Sequence, residues 1–227
     1  MDTTEHIKYF NEEFRISEKK FRRIFVGSDD EIFYPRKNAK NNDTFTITFY
    51  GSFIPLHGLQ YIVRAAKLLE EYKDIKFEIL GSGQTYNFIR DLSEKLKICN
   101  IMFIKERVKY EEIPNFITKS DVCLGIFGDT AKAKRVIPNK VYEALAMGKP
   151  LITGDSPAIK ECGIVNRKNT LLVEMANPEA IANAILELKD DEKLRNDIAK
   201  NGLALFKENF TPKIIGKGVK KVLEEVL

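Results

Sequence analysis

The chain has 227 residues and a mass of 26.0 kDa, room for one large domain or two small ones at about 150 residues each. Its 44% apolar and 31% charged residues are an ordinary globular balance, which excludes disorder over most of the length. The 37 basic and 33 acidic residues leave a dispersed net charge of +4, which permits an anionic ligand and demands neither a nucleic acid nor a membrane.

The chain opens on Met1-Asp2-Thr3-Thr4-Glu5, acidic and polar, which is not a signal peptide. No apolar run approaches the ~20 residues of a membrane span. Glu5–Phe14 reads as a short helix and Phe21–Val26 as a strand, followed by a turn at Gly27-Ser28-Asp29-Asp30. The polar stretch Asn38–Asp43 reads as a linker. A regular rhythm then begins. Strands are expected at Phe45–Tyr50, Ile75–Leu80, Ile101–Ile104, Val122–Phe127, Leu151–Thr153 and Thr170–Val173. Between and after them, helices are expected at Leu59–Tyr72, Tyr86–Ile98, Tyr110–Thr118, Asn139–Met147, Pro178–Leu188, Glu192–Phe206 and Pro212–Val226. Continuously apolar strands alternating with helices predict an α/β, doubly wound parallel sheet, Rossmann-like, with both faces covered.

Cys99, Cys123 and Cys162 are odd in number, far apart and without a C-x-x-C pair, and the chain has only two histidines, His6 and His57. This pattern argues against a disulfide framework and against a structural metal, and it fits a reducing cytoplasm.

In an open parallel sheet, ligands gather at the carboxyl ends of the strands. Four such ends stand out. Gly51-Ser-Phe-Ile-Pro-Leu-His57-Gly58 joins a strand to a helix, where glycines admit a ligand and the helix N-terminus offers N–H groups to a phosphate. The plainer alternative is a loop glycine with a surface histidine. Gly81-Ser82-Gly83 begins like a dinucleotide fingerprint but lacks the third glycine, and taken alone it is better explained by a tight strand-to-helix turn. Glu143, early in the Asn139 helix among apolar neighbours, can accept hydrogen bonds from a vicinal diol or simply oppose the helix dipole. Asp155 caps the next segment or faces the crevice. Lys132, Lys134 and Arg135 form a basic loop that meets an anion or only water, and the lysine-rich last helix lies on a membrane surface or packs on a domain.

In combination the pieces are more specific. A strand followed by Gly-Ser-Phe-x-x-x-His-Gly and a helix, then Ile-Leu-Gly-Ser-Gly, then Ile-Pro-Asn-Lys-Val-Tyr-Glu-Ala-Leu-Ala-Met-Gly-Lys-Pro, resembles a retaining glycosyltransferase of the GT-B fold, family four. The similarity is to its C-terminal, donor-binding domain and covers nearly the whole chain. Residues 1–37 resemble the hinge that leaves the acceptor domain, which places the donor domain at 38–227. The resemblance implies a nucleotide-diphosphate sugar of UDP or GDP type as substrate, no metal and no other cofactor. It implies that Glu143 holds the ribose and that the backbone at Arg107 and Val108 lies beside the base. It further implies that the loop from Gly51 to Gly58, with Ser52 and His57, faces the diphosphate, and that Gly81 and Gly83 belong to the donor site. Lys134, Pro138, Asn139 and Lys140 would face the sugar and phosphates. No protein general base is identified, so the catalytic residue is left unassigned.

Two places depart from the family pattern. Ser52 and His57 stand where arginine and lysine are usual in the first loop, and Arg135 stands where a second glutamate precedes the ribose glutamate by eight residues. Lys140 or Lys134 is the expected source of the missing positive charge. The length has room for one of the fold's two domains. The acceptor, a glycan or lipid-linked sugar, would therefore be met through a missing N-terminal domain, with membrane association through that half left open. The expected location is cytoplasmic. Two other readings remain. One is a non-catalytic nucleotide-sugar module or a subunit of a split enzyme; the other is a Rossmann oxidoreductase, which the incomplete fingerprint disfavours.

Overall fold

The apolar runs after residue 44 assemble into one six-stranded, all-parallel sheet. The structure is a computed structural model that describes residues 1–37, 44–105 and 108–226. The expected linker Asn38–Asp43 lies outside the described residues. In chain order the elements are α1 (Thr4–Phe14), β1 (Phe45–Tyr50), α2 (Leu59–Leu68), β2 (Ile75–Leu80), α3 (Tyr86–Lys95), β3 (Ile101–Ile104), α4 (Ile113–Lys119), β4 (Val122–Leu124), α5 (Asn139–Ala146), β5 (Leu151–Gly154), α6 (Pro157–Lys160), β6 (Leu171–Val173), α7 (Pro178–Asp190), α8 (Glu192–Asn209) and α9 (Pro212–Val226). The strand order is β3-β2-β1-β4-β5-β6. The chain therefore winds outward from β1 in one direction, then restarts beside β1 and winds outward in the other. The point of reversal lies between β1 and β4, and there the connecting loops separate and leave a crevice.

Both faces of the sheet are buried, which is why its strands are apolar without alternation. On one face Ile47, Phe49, Val122 and Leu124 pack with Ile62, Val63 and Ala66 of α2 and Ile185 and Leu188 of α7. On the other, Tyr50, Cys123 and Leu151 pack with Val141 and Leu145 of α5 and Phe206 of α8. α8 approaches α5 closely because Gly202 faces it: a Cβ there would stand 2.8 Å from Leu145 Cδ2.

Several expected elements differ in extent. The expected strand at Phe21–Val26 does not form. That segment reaches no sheet; Ile24 N–H donates instead to the carbonyl of Met1, and Arg23 turns to Glu161. The strand at Val122–Phe127 ends at Leu124, since Phe127 N–H leaves the ladder to donate to the His57 carbonyl. The helix expected from Tyr110 starts as a 3₁₀ turn, Tyr110–Glu112, and becomes α-helical at Ile113 with Pro114 in its first turn. The Leu59 helix stops at Leu68, four residues short of Tyr72.

The first 37 residues pack on the sheet domain. Phe33 is fully buried beside Val141 and Tyr142 in the α5 cluster, and the Phe25 and Phe210 rings meet edge to face at 5.5 Å. α1 begins against α6: the Glu161 carboxylate accepts from Thr4 N–H at 2.7 Å and from Glu5 N–H at 3.1 Å. At the other end of the chain, Val219 and Leu223 of α9 are exposed.

Candidate functional site

The carboxyl ends of β1, β2 and β3 open onto a cavity of about 450 Å³ lined by Tyr50, Gly51, Ser52, Leu80, Gly81, Ser82, Lys105, Val108 and Ile113. Of the residues expected at a donor site, the structure brings Gly51, Ser52, Gly81 and Val108 to this wall. The two glycine loops touch each other along their backbones. A Cβ on Gly81, whose φ is +134°, would stand 2.0 Å from the Gly51 carbonyl oxygen. Glycine there serves loop-on-loop packing, which answers the open question about the Gly81-Ser82-Gly83 turn. Gly58 plays a similar part: at φ +68° its Cβ would stand 2.5 Å from Gly128 N, so the start of α2 rests on the loop after β4.

Beneath Gly51 lie three ionisable groups. His57 is buried, so the alternative of a surface histidine is overturned. Its Nδ1–H donates to the Ser52 carbonyl, closing the loop on itself. Burial first, and Lys140 second, push its pKa down to about 3. His57 is therefore neutral at pH 7 and does not supply the charge that a lysine at this place would.

Lys140 is the second group. It is 5% exposed, on the first turn of α5, and its Nζ lies 3.7 Å from the centroid of the Phe49 ring. A Cβ on Gly51 would stand 3.1 Å from this nitrogen. Among the described residues, Nζ has no hydrogen-bond partner. Burial holds the amine well below the usual lysine pKa, against the opposing pull of Glu143.

Glu143 is the third, 4% exposed and one turn further along α5. Burial raises its pKa, and the neighbouring Tyr50 and Tyr110 hydroxyls, together with Lys140, hold that rise in check. The Tyr110 hydroxyl donates to Oε1 at 3.4 Å. A carboxylate buried this deeply, at mid-helix, does not serve the helix dipole, so that alternative is excluded. Pro138 and the exposed Asn139 form the N-terminus of α5, whose first amides have no acceptor within the helix.

Other expected residues lie elsewhere. Lys134 is exposed and lines a separate cavity with Asp155, Pro157 and Met175, beyond the ends of β5 and β6. Gly83 packs against the Phe53 backbone. Arg107 lies outside the described residues. Arg135 turns away from the crevice: its guanidinium stacks 3.8 Å from the Tyr9 ring centroid on α1, and its carbonyl accepts from Thr3 Oγ1 at 2.6 Å. Asp155 pairs with Lys160, and Ser156 takes the cap of α6.

Sequence reasoning missed Tyr50, Lys105 and Tyr110. Tyr50 had a usable signal, since it is the last residue of β1 and such a position faces the crevice. Among the described residues no group of three or more His, Cys, Asp or Glu side chains could hold a metal ion, and no helix is long and apolar enough to cross a membrane.

Residues 30–204 match the model of the family Glycosyl transferases group 1. An uncharacterized glycosyltransferase of Methanocaldococcus jannaschii is 27% identical over 210 residues, which is 89% of this chain and 53% of the relative. The chain thus spans about half the length of the curated relatives it matches. Among solved structures, the C-terminal domain of the group 1 family protein LpcC from Francisella tularensis aligns over 82% of this chain and 100% of its own, with 25% identity and a TM-score of 0.69. Anabaena HepE in complex with UDP aligns over 99% of this chain and 62% of its own, with 14% identity and a TM-score of 0.83.

Proposed function

The chain belongs to the family Glycosyl transferases group 1, and we propose that it is the donor-binding half of a retaining glycosyltransferase that uses a nucleotide-diphosphate sugar. One observation carries this reading. A buried carboxylate, Glu143, and a buried amine without a hydrogen-bond partner, Lys140, lie one turn apart on α5 at the sheet's point of reversal. The pair matches the two halves of a nucleoside diphosphate. Glu143 accepts from the two hydroxyls of the ribose, and Lys140 meets the diphosphate. The wall at Leu80, Val108 and Ile113 takes the base. Ser52, His57, Gly58 and the first amides of α5 border the phosphates, and Lys134 lies on the sugar side with the loop before Pro138.

In the reaction the bond between the anomeric carbon and the diphosphate oxygen breaks, and an acceptor hydroxyl takes the sugar and loses its proton. Negative charge grows on the departing diphosphate. Its stabilisation by Lys140 and helix amides is the contribution of this half, and it requires no metal. The UDP complex of HepE and the domain match to LpcC support the reading.

Residues 1–37 act as the segment that enters from an N-terminal acceptor domain, and the acceptor, a glycan or lipid-linked sugar, binds there. The exposed Val219 and Leu223 of α9 fit contact with that domain. A second reading, a nucleotide-sugar module without turnover, is favoured by Ser52 in place of an arginine and by Arg135 facing α1.

The test is calorimetric titration with UDP, GDP and ADP, with Glu143→Ala alongside. Binding of one nucleotide that is lost in the variant is the expected result. No binding of any of them overturns the donor-domain reading. Donor hydrolysis by the chain that binds would exclude the module without turnover.

A further inference from the structure

We propose that the donor diphosphate binds together with one proton from solvent, taken up by the buried Lys140 amine and returned when the nucleotide leaves. The proposal rests on the donor-site reading above and adds a linkage to it. Three features of the geometry carry it. The nitrogen is buried and has no hydrogen-bond partner among the described residues, which is a costly state for an ammonium and a tolerable one for a neutral amine. Its neighbour is the Phe49 ring face at 3.7 Å, a surface that accommodates either form. Its cover toward the cavity is Gly51, whose lack of a side chain leaves the amine within reach of a ligand seated there.

The groups facing the amine explain why it and no other takes the proton. His57, on the 3₁₀ turn after β1, is held neutral, and its Nδ1–H is committed to the Ser52 carbonyl. Glu143, on the same helix, already accepts from Tyr110. Tyr50, on β1, donates its hydroxyl to the Lys140 carbonyl and is itself shifted further from ionisation by burial and Glu143. Cys123, on β4, interacts with Glu143; burial pushes it up to about 12, so it stays a thiol. A diphosphate entering over Gly51 supplies the negative charge and the acceptor oxygens that the amine lacks, and this favours its charged form. A permanently charged side chain would bear the desolvation cost in the empty site; a lysine that charges on demand does not.

The experiment is calorimetry of UDP, GDP and ADP binding at pH 8.2 ± 0.2, a value set about 2 units above the second phosphate ionisation so that the nucleotide itself has no proton to give. Buffers of different ionisation enthalpy report the protons exchanged. The wild-type chain is expected to take up protons on binding, and its affinity is expected to fall as pH rises, by up to tenfold for each pH unit. Lys140→Met is expected to bind at least tenfold more weakly with no proton uptake and an affinity flat with pH. Binding by the wild type without proton uptake overturns the linkage and leaves the donor site standing, as does uptake that persists in Lys140→Met. Failure of UDP, GDP and ADP alike to bind overturns the donor-site reading and the linkage with it. The wild-type measurement alone can overturn the linkage even where a variant fails to fold.

Discussion

The hydroxyl of Tyr110 donates to Glu143 Oε1 across 3.4 Å, tying the turn after β3 to the helix that follows β4. The bond spans the crevice between the two halves of the sheet, and its acceptor is the carboxylate assigned to the ribose. Glu143→Gln is expected to separate function from stability. Loss of a charged acceptor weakens nucleotide binding by about 2 kcal/mol, roughly thirtyfold. The fold responds the other way. Because burial raises the folded-state pKa of Glu143 above 4.5, its stabilising contribution is full below that pH and lost as pH rises through the folded value. The variant should therefore gain on the wild type between pH 4 and pH 7, as read by urea unfolding. A variant that loses binding and stability together would speak against this account.

His57 has the opposite pH signature. Its folded pKa lies near 3, below the usual 6.5, so the unfolded chain binds the proton first. Stability is full above about 6.5 and falls with pH toward 3, by at most about 1.4 kcal/mol per pH unit. His57→Gln keeps a donor for the Ser52 carbonyl and removes the titration. Urea midpoints at pH 7 and pH 5 should diverge less for the variant than for the wild type.

Gly81→Ala tests the contact between loops. The added Cβ would lie 2.0 Å from the Gly51 oxygen, at a φ of +134°. Strain and overpacking together cost about 3 kcal/mol. Gly216 and Gly218 of α9 face open space, and alanine there should raise helix stability by about 1 kcal/mol each. Denaturant midpoints for the first variant, and amide exchange in α9 for the other two, should move in opposite directions.

Glu161 supplements the Thr3 cap of α1, whose hydroxyl accepts from His6 N–H, by reaching from the end of α6 to Thr4 and Glu5 N–H. Glu161→Ala leaves those amides without an acceptor, at a cost of about 1 kcal/mol, felt in α1. Hydrogen exchange of residues 4–8 should accelerate, with the strands unchanged. Acceleration throughout the sheet would mean that α1 is integral to global folding.

The parts of this fold that were legible share one property: their signal is local. Phe45–Tyr50, Ile75–Leu80 and Ile101–Ile104 are short apolar runs with turn residues at their ends, and the strands match them residue for residue. Phe21–Val26 carries the same kind of run, but Arg22 and Arg23 find partners at Glu225 and Glu161 and no sheet edge lies within reach. In the candidate site, Glu143 and the glycines were singled out because their setting along the chain is distinctive. The burial of His57 and the isolation of the Lys140 amine were not, since each depends on a residue brought from elsewhere in the fold: Lys140 for the histidine, and Phe49 and Gly51 for the lysine. Arg135 was singled out because it stands eight residues before Glu143, where the family pattern has a second glutamate. Its stacking on Tyr9 involves a helix 126 residues earlier (135 − 9), which no local pattern foretells.

The strand order has a consequence for the order of synthesis. β1 emerges first, yet it lies at the centre of the sheet, with β2 on one side and β4 on the other. The first partner begins 25 residues after Tyr50 (75 − 50) and the second 72 residues after it (122 − 50). At a ribosomal pace of about 5–20 residues per second, one edge of β1 stays unpaired for roughly 4–14 s. During that interval the nascent chain presents Phe45-Thr-Ile-Thr-Phe-Tyr50, an apolar edge without lysine or proline to guard it. The same gap delays the crevice itself, because α5 and its lysine and glutamate arrive after β4. No nucleotide can then assist the first half to fold, and protection of that edge before residue 122 falls to chaperones or to speed.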